Sequence, residues 1–110
     1  MKTNPKLYVV VRADLPPGDQ AVQAIHATTE FGFQHGLLTQ EWHRDSNYLA
    51  LLSVPDERAL EELKQRAYIR GIPHTCFREP DLNNSLTAIA LEPGDRSQKL
   101  CSRLSLAMSM

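Results

Sequence analysis

The chain has 110 residues, 42% of them hydrophobic and 23% charged, with two cysteines and a net charge of −1. That length supports one ordinary core and not two, so a single domain over residues 1–110 is expected. Near-neutral charge removes bulk attraction to nucleic acid as an argument, two cysteines make neither a disulfide framework nor a metal cluster, and no apolar run is long enough to span a membrane.

Residues 1–18 do not read as a secretory leader, because the apolar run is short and Arg12 and Asp14 follow it at once. A reducing cytoplasm is the expected compartment. Residues 7–11 (LYVVV) form a short apolar, β-branched run that reads as a buried strand. Leu15-Pro16-Pro17-Gly18 can continue neither strand nor helix, so it is a connection. Asp19 suits the first turn of a helix, where a carboxylate meets free N–H groups and the positive dipole end. Asp19, Gln23, His26 and Glu30 then fall in one polar stripe, and Val22, Ile25 and Phe33, with Ala21 and Ala24, are expected to supply the buried side. The stripe is either a solvated face or the floor of a site, since ligands of open α/β sheets bind beyond the strands' carboxyl ends.

Residues 36–46 have weak periodicity and read as a helical turn within a connection, with Trp42 on the edge of the core. Residues 47–54 (NYLALLSV) are nearly all apolar, as in a strand covered on both faces. Pro55 ends that strand and Asp56 caps a helix whose buried stripe is Leu60, Leu63 and Ala67. Glu62 and Arg66 are spaced as an ion pair, Gly71 stands where a helix C-terminus wants glycine, and Pro73 prevents continuation. Residues 74–77 form a short strand and residues 82–85 a turn; residues 86–91 (LTAIAL) are another buried strand. A last helix follows Asp95 or Ser97, turning Leu100, Leu104 and Ala107 inward and Arg96, Lys99 and Arg103 outward. Alternating strands and helices predict an α/β sandwich with a mixed sheet.

No phosphate-binding glycine loop, zinc spacing or nucleophile elbow is visible. What remains is Asp14 and Asp19 after the first strand, and Glu79 and Asp81 after the third. If both turns open on one sheet edge, a carboxylate beside His26 can position or activate a water. Otherwise Glu79 and Asp81 are turn carboxylates.

Four segments, in order, resemble the peptidyl-tRNA hydrolase 2 family: VVVRADL (residues 9–15), QAIHAT (23–28), VPDERALEELKQRAYIRGIPHTCFRE (54–79) and LTAIALEP (86–93). The resemblance implies a three-layer α/β sandwich with a four-stranded mixed sheet flanked by helices, often as a homodimer. It implies cleavage of the ester between peptide and tRNA, with tRNA or peptidyl-tRNA as partner and neither metal nor cofactor. Gln23, His26 and Thr87 match the family's pattern, and Glu79 stands where the family has an aspartate. The family's lysine four residues before the glutamine is Asp19 here, and its loop after the acidic residue is replaced by residues 80–84 (PDLNN). The resemblance implies His26 and Glu79 for chemistry; Asp81 is this sequence's own candidate beside them, and Asp19 stands in the lysine's place. Gln23 and Thr87 would hold substrate, with Arg12 or Arg78 replacing the lost cation. The alternative is a non-catalytic module of the same fold that binds tRNA, a peptide or a protein partner.

Overall fold

The computed structural model describes residues 5–109. Residues 1–4, part of the stretch read for a leader, and residue 110 lie outside the described residues. Strand β1 (Lys6–Arg12) leads through helices α1 (Pro17–Gln34) and α2 (Gly36–Asp45) to β2 (Tyr48–Val54). Helix α3 (Glu57–Ile69), β3 (His74–Glu79), a single 3₁₀ turn (Pro80–Leu82), β4 (Ser85–Leu91), α4 (Asp95–Leu100) and β5 (Ser105–Leu106) complete the chain.

The sheet order is β3-β4-β1-β2-β5. Strands β1 and β2 run parallel, from Lys6 opposite Tyr48 to Arg12 opposite Val54. Strand β4 lies between β1 and β3, antiparallel to both, so β1 and β3 share a direction and end at the same sheet edge. Helices α3 and α4 cover one face, where Leu60, Leu63, Ala67 and Leu100 meet Tyr8, Val10, Ile89 and Leu91. Helices α1 and α2 cover the other, where Ala24, Ala27 and Phe31 meet Leu7, Val9, Val11, Ala88 and Ala90. Successive strand residues serve opposite layers, as the pleat requires.

The sheet has five strands where four were expected. The last helix stops at Leu100, and the following residues return along β2: β5 pairs with Leu52 and Ser53, and Ala107 N–H donates to Leu51 O at 2.9 Å. A two-residue strand carries no alternation to read. It forms because the outer edge of β2 otherwise leaves backbone groups unpaired. Only part of that edge is covered, and Tyr48 and Leu49 remain exposed, so β2 is not buried on both faces.

Helix α1 is also rotated from its expected setting. Val22, Ile25 and Phe33 are 49%, 66% and 81% exposed, while Gln20, Gln23, Ala24, Ala27 and Phe31 are buried. The two alanines let the helix lie close on the sheet; Gln23 bonds at both ends of its amide, which removes most of the penalty for burying it, whereas Gln20 donates through Nε2 and its buried Oε1 has no partner among the described residues. Helix α2 is three turns long rather than one. Its Trp42 is partly buried and its indole N–H donates to Tyr48 O at 2.7 Å.

Helix α3 follows its sequence closely. Asp56 Oδ1 accepts from Ala59 N–H at 2.9 Å, Leu60, Leu63 and Ala67 are buried, and Gly71 takes φ +67° after the C-terminus. Glu62 pairs with Arg58 (3.5 Å) rather than with Arg66.

Candidate active site

Four segments meet at one end of the α1 face: the first half of α1, the end of β3, the start of β4 and the 3₁₀ turn. Helix α1 begins with Pro17 at its first position, which suits a residue without an N–H. Gln20 Nε2 then donates to Leu15 O (2.6 Å) and Ala13 O (3.4 Å), tying the helix to the connection that leaves β1. That anchor fixes where Gln23 and His26 fall along the sheet.

The decisive backbone feature is a bulge in β4. Phe77 is opposite Ala88, but Arg78 is opposite Leu86, so Thr87 is an extra residue. In unbroken alternation Thr87 would share the α3 face with Ile89 and Leu91. The bulge turns it toward α1 while Leu86 enters the α3 core. Thr87 is fully buried, and its hydroxyl donates to Gln23 Oε1 at 2.7 Å, with Phe77 O as a longer acceptor at 3.3 Å. Gln23, 4% exposed, donates through Nε2 to Glu79 Oε1 at 2.9 Å. The other carboxylate oxygen, Oε2, accepts from Asp81 N–H at 3.3 Å. A buried hydroxyl thus orients a buried amide, and the amide orients a partly exposed carboxylate. Gln23's donation holds Glu79 below the usual carboxylate range, with the Asp81 N–H and the nearby His26 charge adding to it.

His26 is exposed and its ring lies flat on Phe77, with centroids 4.3 Å apart and 7° between planes. Phe77 and Glu79 are two residues apart on β3 and so face α1 together, which places the imidazole beside the carboxylate. Strand alternation carries this signal for Phe77, although the sequence reading did not select it. The bulge that recruits Thr87 has no comparable signal.

The remaining sequence candidates are distributed differently. Asp19 is exposed in the first turn of α1, one turn before Gln23. Asp81 is exposed and touches Glu79 only through its backbone N–H. Both arginines turn to the opposite face of the sheet. Arg12 Nε and Nη2 donate to the Asp14 carboxylate, each at 2.9 Å, and Nη1 reaches Ser85 Oγ and Leu86 O at 3.3 Å. Arg78 donates to both carboxylate oxygens of Glu61 on α3, at 3.1 and 3.3 Å. Neither guanidinium is directed at Glu79. Arg12 holds Asp14 below the usual carboxylate range through that bidentate contact.

No group of three or more His, Cys, Asp or Glu side chains among the described residues is placed to hold a metal. No helix among them is long and apolar enough to cross a membrane. A separate groove of about 340 Å³ lies on the other flank of α1, between that helix and β2, lined by apolar residues including Val9, Ile25, Leu49 and Leu51.

Fold and site together define an α/β protein with a hydroxyl–amide–carboxylate chain at the edge where parallel β1 and β3 end. The family model for peptidyl-tRNA hydrolase PTH2 matches residues 5–106, and the chain belongs to that family. A peptidyl-tRNA hydrolase from Thermococcus sibiricus is 29% identical over 99 residues, covering 81% of this chain and 84% of that protein. A solved structure of a protein of unknown function from Agrobacterium tumefaciens superposes with a TM-score of 0.67 at 17% identity, covering 96% of this chain and 98% of the other. At that identity the likeness speaks for the fold.

Proposed function

We propose that this chain is a divergent peptidyl-tRNA hydrolase, cleaving the ester between peptide and tRNA with water and its own side chains, without metal or cofactor. The observation that carries the reading is the chain from Thr87 through Gln23 to Glu79 in a member of the PTH2 family. Glu79 positions the attacking water and takes its proton; its lowered pKa keeps it ionised at neutral pH. Gln23 and Thr87 fix Glu79 and the substrate's approach. His26 presents an imidazole at the mouth of the site. Asp81 acts through its backbone N–H, and Asp19 sets a negative border one turn away. Arg12 and Arg78, each engaged by a carboxylate on the other face, stay outside the reaction.

The same reading makes the chain a single-domain, cytoplasmic protein of translation that works as a homodimer. Support for the dimer comes from the apolar stripe of Val22, Ile25 and Phe33 on the outer side of α1, beside the groove that Ile25 and Leu49 share. Monomers rarely leave so extensive an apolar face uncovered. A second copy seated there by a two-fold axis would bury the stripe against itself. Sedimentation should then give a dimer for the wild type and a monomer for Ile25→Lys; a monomeric wild type at tens of micromolar rejects this arrangement.

The test of function is release of tRNA from an N-acetylated aminoacyl-tRNA by purified protein. Turnover above buffer is expected. A folded sample that binds the substrate in a gel shift but releases nothing would make the chain a binding module.

A further inference from the structure

Ester cleavage creates an oxyanion, and this site is built of acids. Glu79 contributes its carboxylate, with the exposed Asp81 next to it in the turn and Asp19 one turn before Gln23, and a negative charge developing beside Glu79 needs an opposing positive one. Helix α1 contains no lysine or arginine, nor do residues 80–91, and Arg78, the one arginine or lysine of β3, is engaged by Glu61 on the opposite face. Arg12 is likewise held by Asp14, Ser85 and Leu86. Among the described residues, the side chain at the site able to carry positive charge is His26.

We infer that His26 acts as an imidazolium, supplying the positive charge that meets the oxyanion, rather than as the base. This deepens the proposed function and rests on it. The geometry suits an electrophile. The ring is held flat by Phe77, at 4.3 Å and 7°, so its N–H groups point along a fixed plane at an exposed surface. The groups around it are acidic. Asp19 and Glu30 share its stripe on α1, Glu79 faces it from β3, and the 3₁₀ turn brings Asp81. Strand β4 offers only Thr87 and alanines. Glu79, an anion aimed by Gln23 and by Asp81 N–H, is the group placed to take the proton from water.

The step then balances as follows. Water oxygen attacks the ester carbonyl carbon while Glu79 takes a water proton. The carbonyl π pair moves onto oxygen, where the His26 N–H⁺ donates to it. Collapse restores the carbonyl, breaks the bond to the ribose oxygen, and that oxygen leaves with the proton held by Glu79. The products are the peptide's carboxylic acid and a free tRNA hydroxyl. A site with a permanent cation would work at any alkaline pH, whereas one that relies on imidazolium is active only while the ring is protonated.

The experiment is the kcat/KM profile for N-acetylated aminoacyl-tRNA across about pH 5 to 9, where imidazole charge changes, with buffer hydrolysis subtracted. Wild type, Glu79→Gln, His26→Phe and His26→Arg are compared, each checked for folding by circular dichroism. Wild-type activity should fall on the alkaline side. His26→Phe keeps a flat ring on Phe77 and should lose about a hundredfold or more, the cost of removing one oxyanion donor. His26→Arg should recover at least tenfold over His26→Phe and lose the alkaline fall. Glu79-dependent turnover that instead rises with pH, or a His26→Arg protein no better than His26→Phe, overturns the inference and leaves the hydrolase standing. Absence of turnover in every protein overturns both.

Discussion

Replacing Thr87 by valine tests the hydroxyl–amide–carboxylate chain at its buried end. Valine matches threonine in shape, so the fully buried position keeps its packing and loses only a donor. Gln23 Oε1, accepting from that hydroxyl at 2.7 Å, is then left without its partner in a residue only 4% exposed. An orphaned buried acceptor costs about 1 to 3 kcal/mol, which for a domain this small lowers the melting temperature by roughly 5 to 15 °C. The effect should be non-additive. In a Gln23→Leu background there is no acceptor to orphan, and Thr87 still reaches Phe77 O, so the same Thr87→Val change should cost less than half as much. Urea titration followed by circular dichroism measures all four corners of this cycle. Activity should fall with Thr87→Val at unchanged fold, because Gln23 is freed to rotate away from Glu79. Equal costs in both backgrounds, or a neutral Thr87→Val, would refute the chain as a coupled unit.

Asp56→Ala removes the α3 cap and should cost about 1 kcal/mol in urea unfolding while leaving hydrolysis unchanged; a rate defect would mean that α3 reaches the site. Cys101 is buried with its thiol pushed up to about 12, and burial raises Cys76 as well. Neither should react with a thiol reagent at pH 8 in the folded protein, and both should react in urea; rapid labelling of Cys101 in the native state would contradict its burial. Asp14 and Glu79 have carboxyl pKa values lowered by folding, so the stability they contribute is present above their unfolded values and is lost as pH falls through the folded ones. Acid unfolding should therefore shift to higher pH in Arg12→Met, which removes the guanidinium that holds Asp14 down, and an unchanged midpoint would discount that pair.

The clearest local chemistry was the easiest to read. Asp56, Gly71 and Pro73 delimit α3 because capping, left-handed backbone and the missing N–H each act within a few residues. Asn83 and Asn84 adopt positive φ (55° and 59°) in the expected turn, a conformation that asparagine tolerates. Helix α1 departs from its sequence pattern for a tertiary reason. Val22, Ile25 and Phe33 match an inward stripe by hydrophobicity, yet the inward face carries Gln20 and Gln23, whose partners lie as far away as residue 87. No local pattern distinguishes a wet amide from one whose bonds close across the fold. Strand β5 is invisible for a similar reason, being defined by the open edge it meets. At the site, the family resemblance supplied Gln23, His26 and Thr87 as residues, but not the bulge that turns Thr87 toward Gln23. It also left open a guanidinium near Glu79, and strand alternation, which sends Arg12 and Arg78 to the α3 face, closes that option.

The most direct measurement is single-turnover release of tRNA from N-acetylated aminoacyl-tRNA by the wild type beside Glu79→Gln, both verified as folded. Glutamine keeps the size of the side chain and removes the charge that receives the water proton. The account predicts clear release by the wild type and a loss of about a hundredfold or more with glutamine, within the range of general base catalysis. Equal rates for the two proteins, or no release by a folded wild type, would contradict it.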